Sequence, residues 1–269
     1  MSRVAVVQMV SVNDVQMNLI DAAALIEQAV AQSAELILLP ENFGFLGRYE
    51  AEKLPFAEAP GQGAMQAFLA EQASQHGIWL IGGSVPIQSD DPNKVFASCL
   101  VYGPDGGCHA RYDKMHLFDV ALPDSDEQYR ESASHIAGGA IQQLDTGIGR
   151  LGLSICYDLR FPELYRGLSA QGTEIFTVPS AFTYRTGEAH WEVLLRARAV
   201  ENLCYVLAAN QGGEHPGGRK TWGGSMIVSP WGEVLASLEQ GPGVAVADID
   251  LEQLQTTRKH FPVLEHRKL

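Results

Sequence analysis

The sequence predicts an α/β fold of two packed mixed sheets with helices on their outer faces. Three observations point there. Short apolar runs alternate with segments of helical periodicity, one strand pair carries a hairpin signal, and the strands are too many for one flat sheet. Residues 4–9 form the first expected strand. Residues 17–32 place Ile20, Leu25 and Ala29 at helical spacing, with Asn13 and Asp14 available to cap the entry. Residues 35–40 are a short, mostly apolar run of the kind covered on both faces. A helix over 63–76 stops at Gly77, and a strand over 78–85 follows. Strands 95–102 and 107–112 flank Gly103-Pro104-Asp105-Gly106, whose Asp-Gly pair marks a hairpin. Further strands are expected at 152–156, 174–178, 205–209, 225–228 and 244–249. Between them, a helix over 161–171 has Pro162 in its first turn and Gly172 past its end. Another over 188–203 presents Trp191, Leu194, Leu195 and Ala199 at helical spacing. Segments 121–134 and 211–221 read as loops of the sort that shape an active-site mouth.

With no linker or internal repeat, residues 1–269 are expected to form a single domain. A chain of this length buries roughly three quarters of its unfolded surface and needs no staple. The formal charge of −13 disfavours nucleic acid and anionic membranes as partners, since both need a basic footprint. It does not exclude an anionic substrate in a recessed site. The opening MSRVAVVQMV is too short and strand-like for a signal peptide, and no apolar stretch approaches the roughly 20 residues that span a bilayer. Cys99, Cys108, Cys156 and Cys204 show neither zinc-ligand nor disulfide spacing, which points to a reducing, cytoplasmic location.

Cys156 ends an apolar run and opens a polar turn in GLSICYD. Unpaired cysteines are among the most buried residues, so a structural role stands as the alternative. The turn at Tyr157 and Asp158 favours a nucleophile, with the Tyr157 N–H as oxyanion donor. Glu41 follows five apolar residues and precedes Asn42-Phe43-Gly44-Phe45; an apolar mouth would raise its proton affinity and suit it to deprotonate a thiol. Lys114 likewise stands beside Met115-His116-Leu117-Phe118. By default Glu41 and Lys114 are solvated surface charges. Acid, ammonium and thiol, each at a strand end, are together the parts for amide cleavage through a thioester.

The stretches LILLPENFGF, RYDKMHLF and GLSICYDLRFPELYR resemble signature segments of the nitrilase superfamily of carbon–nitrogen hydrolases. The likeness extends through 178–211 and into SMIVSPWGEV. It implies a four-layer αββα sandwich and a catalytic Glu41-Lys114-Cys156 triad, with Glu131 supporting Lys114 or the substrate. AHWEVLLRARA and the ending FPVLEHRKL look most like the branch of deaminated-glutathione amidases, and the omega-amidase branch shares much of the pattern. The implied reaction hydrolyses a small carboxamide to carboxylate and ammonia, with no metal and no organic cofactor. An N-carbamoyl amine or nitrile substrate, or a non-catalytic binding role, are the alternatives. Gly224 stands where a histidine is common, and Ser229 where an aspartate is common.

An anionic substrate needs a basic contact, and Arg160 and Arg185 are candidates; for Arg160 an internal ion pair is the alternative. Phe43, Phe182 and Trp222 are candidate pocket aromatics, although aromatics beside strands are more often core. His116 and His190 read as packing residues. The resemblance also implies a homodimer or higher homo-oligomer. In it the segment at about 258–269 packs on a partner subunit, a loose tail being the alternative.

Overall fold

A computed structural model describes residues 1–121 and 128–268. The chain begins with β1 (Ser2–Gln8) and α1 (Val15–Ala31), whose first turn is capped by Asp14 accepting the Met17 N–H at 3.1 Å. Next come β2 (Leu36–Leu38), a 3-10 helix (Glu50–Phe56) and α2 (Ala64–His76), closed by Gly77 in the left-handed conformation. Strands β3 (Trp79–Ile81), β4 (Val85–Gln88), β5 (Val95–Tyr102) and β6 (Cys108–Asp113) follow. A small pair, β7 (Asp119–Ala121) and β8 (Gln128–Arg130), leads to a 3-10 turn (Glu131–Ala133). The second half runs through β9 (Gln143–Asp145), β10 (Arg150–Leu153), a 3-10 helix (Cys156–Arg160), α3 (Pro162–Ala170), β11 (Ile175–Thr177) and α4 (Tyr184–Asn202). It closes with β12 (Tyr205–Ala208), β13 (Met226–Val228), β14 (Val234–Ser237), β15 (Gly243–Ile249) and α5 (Leu251–His260).

Among the described residues one sheet runs β15-β1-β2-β3-β5-β4, with β6 also paired to β5. The other runs β14-β13-β12-β11-β10-β9. Both are mixed: β1, β2 and β3 are parallel, as are β10, β11 and β12, and the flanking pairs are antiparallel. Strand alternation sorts the side chains into two cores. Val4, Val6, Leu36 and Leu38 point between the sheets and share a cluster with Leu151, Leu153 and Ile175. Ala5, Val7, Ile37 and Leu39 point outward against Ala22 and Ile26 of α1 and Leu69 of α2. Helices α3 and α4 cover the second sheet with Leu164, Leu168, Leu195 and Ala199. The result is the expected αββα sandwich.

Several boundaries differ from the sequence reading. The strand expected at 78–85 breaks at Gly82-Gly83, where the chain passes so close to Pro40 that a Cβ on Gly83 would lie 2.0 Å from its carbonyl oxygen. The strand expected at 152–156 ends at Leu153, and Cys156 instead opens a 3-10 helix. Helix α4 starts a turn early, at Tyr184, so Arg185 lies on a helix. Strands β9 and β14 and helix α5 had no clear signal, being short or largely polar. Part of the loop expected at 121–134, residues 122–127, lies outside the described residues; the remainder is ordered as β8 and the turn after it.

Candidate active site

Glu41, Lys114 and Cys156 follow β2, β6 and β10 and meet in one cavity, although 73 and 42 residues separate them in sequence (114 − 41 and 156 − 114). The cavity encloses about 460 Å³ including its open mouth. The Lys114 ammonium is buried and donates to Glu41 Oε1 at 2.8 Å and to both carboxylate oxygens of Glu131 at 3.0 and 2.9 Å. Glu131 Oε2 also accepts the Phe118 N–H at 2.7 Å, and Glu41 Oε2 accepts the Ala181 N–H at 2.9 Å. The Cys156 thiol lines the same cavity as both of these groups. Glu41, Lys114 and Glu131 therefore have their rotamers settled by partners from other elements.

The backbone around these residues is unusually tight. Cys156 has φ 47°, a left-handed value that a non-glycine residue adopts at a cost of order 1–3 kcal/mol. Its N–H donates to Pro179 C=O at 2.9 Å, and the preceding Ile155 N–H donates to Asp158 Oδ2 at 2.8 Å. Asp158 is fully buried and also accepts from the Tyr112 hydroxyl at 2.7 Å, the His116 N–H at 3.0 Å and the His116 ring at 2.6 Å. One carboxylate thus joins the turn bearing Cys156 to residues two positions either side of Lys114. Tyr157 precedes the first bond of its 3-10 helix, Asp158 N–H to Ile155 C=O, so its amide has no acceptor within the helix.

Charge separates the two glutamates. Burial pushes the Glu41 carboxyl up, but the adjoining Lys114 ammonium outweighs it and holds Glu41 below its ordinary value. This corrects the expectation that an apolar mouth would raise its proton affinity. Burial lifts Glu131 instead, and the Glu41 and Glu50 charges add to that. Lys114 feels an opposing desolvation, yet Glu131 and Glu41 keep it well above the ordinary lysine value. Burial and the Glu41 charge push the Cys156 thiol up, so it rests protonated beside an ionised carboxylate.

Of the proposed substrate contacts, Phe182 and Arg160 line the cavity, as does Tyr157. Arg160 donates to His190 Nδ1 at 3.1 Å and stacks over the Phe182 ring at 5.2 Å; no carboxylate among the described residues pairs with it. Three candidates fall elsewhere. Phe43 is fully buried in the outer core, stacked on Phe68 against α2, because its side chain turns away from the mouth that Glu41 faces. Trp222 packs edge-on against Tyr184 along a separate groove beside α4. Arg185 is exposed in the first turn of α4 and does not line the cavity. Gly224 borders that same separate groove, where its carbonyl accepts the Trp191 indole N–H, so the missing histidine does not touch the cavity. Ser229 caps its own turn by accepting the Trp231 and Glu233 N–H groups.

The cavity also holds residues that the sequence reading did not single out: Asn42, Glu50, Tyr129, Thr183, Thr186 and Arg219. Arg219 and Tyr129 come from the two segments read as mouth loops, which was the available signal. Glu50, Glu131 and His135 bring ligand atoms within 4.8 Å of one another. Their carboxylate charge is already matched, with Lys53 and Arg219 on Glu50 and Lys114 on Glu131. No helix among the described residues is long and apolar enough to cross a membrane.

A buried thiol, ammonium and carboxylate thus meet in one cavity beyond the strand ends of an αββα sandwich, which makes the cavity a candidate active site. The carbon–nitrogen hydrolase family matches residues 3–259, and the chain belongs to that family. It is an amidase. A deaminated glutathione amidase of Synechocystis is 45% identical over 98% of this chain and 97% of its own. The human deaminated glutathione amidase is 41% identical over 98% and 82%. The crystal structure of Caenorhabditis elegans NitFhit superposes with a TM-score of 0.92 at 42% identity, covering 99% of this chain and 65% of that one. An amidase from Nesterenkonia sp. AN1, solved after Michael addition of acrylamide at its active site cysteine, gives 0.79 at 31% identity over 97% and 98%.

Proposed function

We propose that this chain hydrolyses a small anionic carboxamide, deaminated glutathione or an α-keto acid omega-amide, through a thioester on Cys156. The observation that carries this reading is one cavity lined by Cys156, Glu41 and Lys114, with Lys114 bonded to both Glu41 and Glu131. Glu41 takes the thiol proton as sulfur attacks the amide carbon, which suits a base held ionised beside a thiol that rests protonated. Lys114 and the Tyr157 N–H stabilise the oxyanion, and a preorganised donor of this kind is worth about 3 kcal/mol. Glu41 then protonates the nitrogen, which leaves as ammonia from a primary amide or as an amine from deaminated glutathione. Water activated by Glu41 releases the carboxylate and restores the thiol. Glu131 positions Lys114 and takes no part in the main proton transfer. Arg160, four residues beyond Cys156 and without a carboxylate partner among the described residues, binds the carboxylate of the acyl part, with Phe182 packing beside it.

The test is intact mass spectrometry with these amides on wild type and Cys156→Ala. An acyl-sized adduct on the wild type alone is expected, and full turnover by Cys156→Ala would refute the scheme. Carbon dioxide released alongside ammonia would instead mark an N-carbamoyl substrate. We also propose a homodimer formed through the exposed face of α4, with the segment at about 258–269 against the partner. Exposed Val193, Val200, Trp231 and Phe261 on this side support it. The four free thiols fit a reducing, cytoplasmic setting.

A further inference from the structure

Asn42 follows Glu41 directly and lines the same cavity. Its φ is 62°, a left-handed value that asparagine tolerates because its short side chain can hydrogen-bond nearby backbone. Here the side chain does no such thing. The Asn42 N–H donates to Ser84 Oγ at 2.9 Å and the Asn42 carbonyl accepts the Phe45 N–H at 3.2 Å, so the backbone is held without it. The side-chain amide has no hydrogen-bond partner among the described residues, although Asn42 is only 7% exposed. An amide kept that far from solvent is costly until something bonds it.

The other buried polar side chains of the cavity are engaged. Glu41 and Glu131 have both carboxylate oxygens bonded, and the Lys114 ammonium bonds both of these residues. The Thr183 hydroxyl pairs with that of Thr186 at 2.8 Å. Among the described buried residues that line the cavity, Asn42 alone carries side-chain oxygen and nitrogen atoms without a partner.

The proposed reaction leaves one substrate group to match them. The carbonyl oxygen meets Lys114 and the Tyr157 N–H, and the acyl carboxylate meets Arg160. The N–H of the scissile amide still lacks an acceptor, and its nitrogen has to lie near Glu41 to receive a proton. Asn42 is the next residue along the chain.

The geometry points to Asn42 as a further substrate-binding residue, whose side-chain oxygen accepts an N–H of the scissile amide and holds the nitrogen toward Glu41. This rests on the reading of Cys156 as the acylated nucleophile. Such a bond favours an amide over an ester of the same acyl group, because the ester offers that oxygen no proton.

The experiment compares kcat/KM for the primary amide and the methyl ester of one acyl group, two substrates that lead to the same thioester. Asn42→Gly removes the side chain and accepts a positive φ, so its thermal melt should stay close to that of the wild type. It should lower kcat/KM for the amide about tenfold and leave the ester nearly unchanged. Asn42→Asp also tolerates left-handed backbone and keeps an acceptor, so it should retain the wild-type ratio of amide to ester. It covers the case in which Asn42→Gly does not fold. Normal amide kinetics in a folded Asn42→Gly would show that asparagine serves the turn alone, and overturns the assignment. Equal losses on amide and ester, or loss of the ratio in Asn42→Asp, overturn it too. In those cases an acyl adduct on wild-type Cys156 leaves the amidase reading standing. Neither turnover nor adduct in the wild type overturns both.

Discussion

Lys114 is the residue on which the local electrostatics turn. It is the ammonium that lets two carboxylates sit in a site with almost no solvent, and its three hydrogen bonds reach both of them. Lys114→Met keeps the bulk and removes the charge. We expect a stability loss of about 3–5 kcal/mol at neutral pH, because breaking a buried pair strands the partner charges. The sign of the pH dependence follows from the same groups. In the wild type Glu41 sits below its ordinary value, so it stabilises the fold above the unfolded carboxylate range and loses that contribution as pH falls through its own lower value. Without Lys114, burial is opposed mainly by the weaker pull of the Lys53 charge, and both carboxyls rise. Their destabilisation is then greatest at neutral pH and is relieved on acidification. Denaturant melts of both proteins between pH 4 and 8 check this; a deficit independent of pH would contradict it.

At the scale of elements, two glycines let the backbones that carry Glu41 and Lys114 lie where they do. A Cβ on Gly83 would meet the Pro40 carbonyl oxygen at 2.0 Å, one residue before Glu41, and Gly83 has φ +52°. A Cβ on Gly138 would meet the Asp113 carbonyl oxygen at 2.0 Å, one residue before Lys114, where the Gly138 N–H also bonds Lys114 C=O at 2.8 Å. Backbone cannot swing aside as a flexible side chain does, so alanine at either position has to move the segment carrying the functional group. Each substitution should cost about 1–3 kcal/mol in stability, and a displacement near 1 Å should lower kcat by about 100-fold. Thermal melts and kcat measured on the folded fraction separate the two effects. A normal kcat in a folded Gly138→Ala would show that Lys114 tolerates the shift.

For the whole molecule, several apolar side chains stand exposed on and beside α4. Val193 and Val200 of α4 are exposed, and Trp231 and Phe261 touch ring to ring at 5.7 Å on the surface. Sedimentation equilibrium should give a dimer for the wild type. Val193→Glu with Val200→Glu should shift it toward monomer, since each places a charge in an apolar contact. A wild-type monomer at all concentrations tested would remove the proposal.

The pattern of apolar runs determined the layers: alternation in β1 and β2 faces one set of side chains to each core, and that period can be read along the chain. It also marked Glu41 and Cys156 as groups closing apolar runs, and Lys114 as a charge that follows a strand-like segment and stands beside Met115-His116-Leu117-Phe118. Phe43 and Trp222 show where that reading stopped. Their neighbours along the chain, Asn42 and Gly44 or Thr221 and Gly223, are the same whichever way the ring faces, and only packing against Phe68 and Tyr184 settles the direction. Arg219 and Glu50 were equally hidden, 169 residues apart until the fold brought them to one wall. The lowered proton affinity of Glu41 is likewise a tertiary fact, since burial and the Lys114 charge act on it in opposite senses and distance decides which prevails.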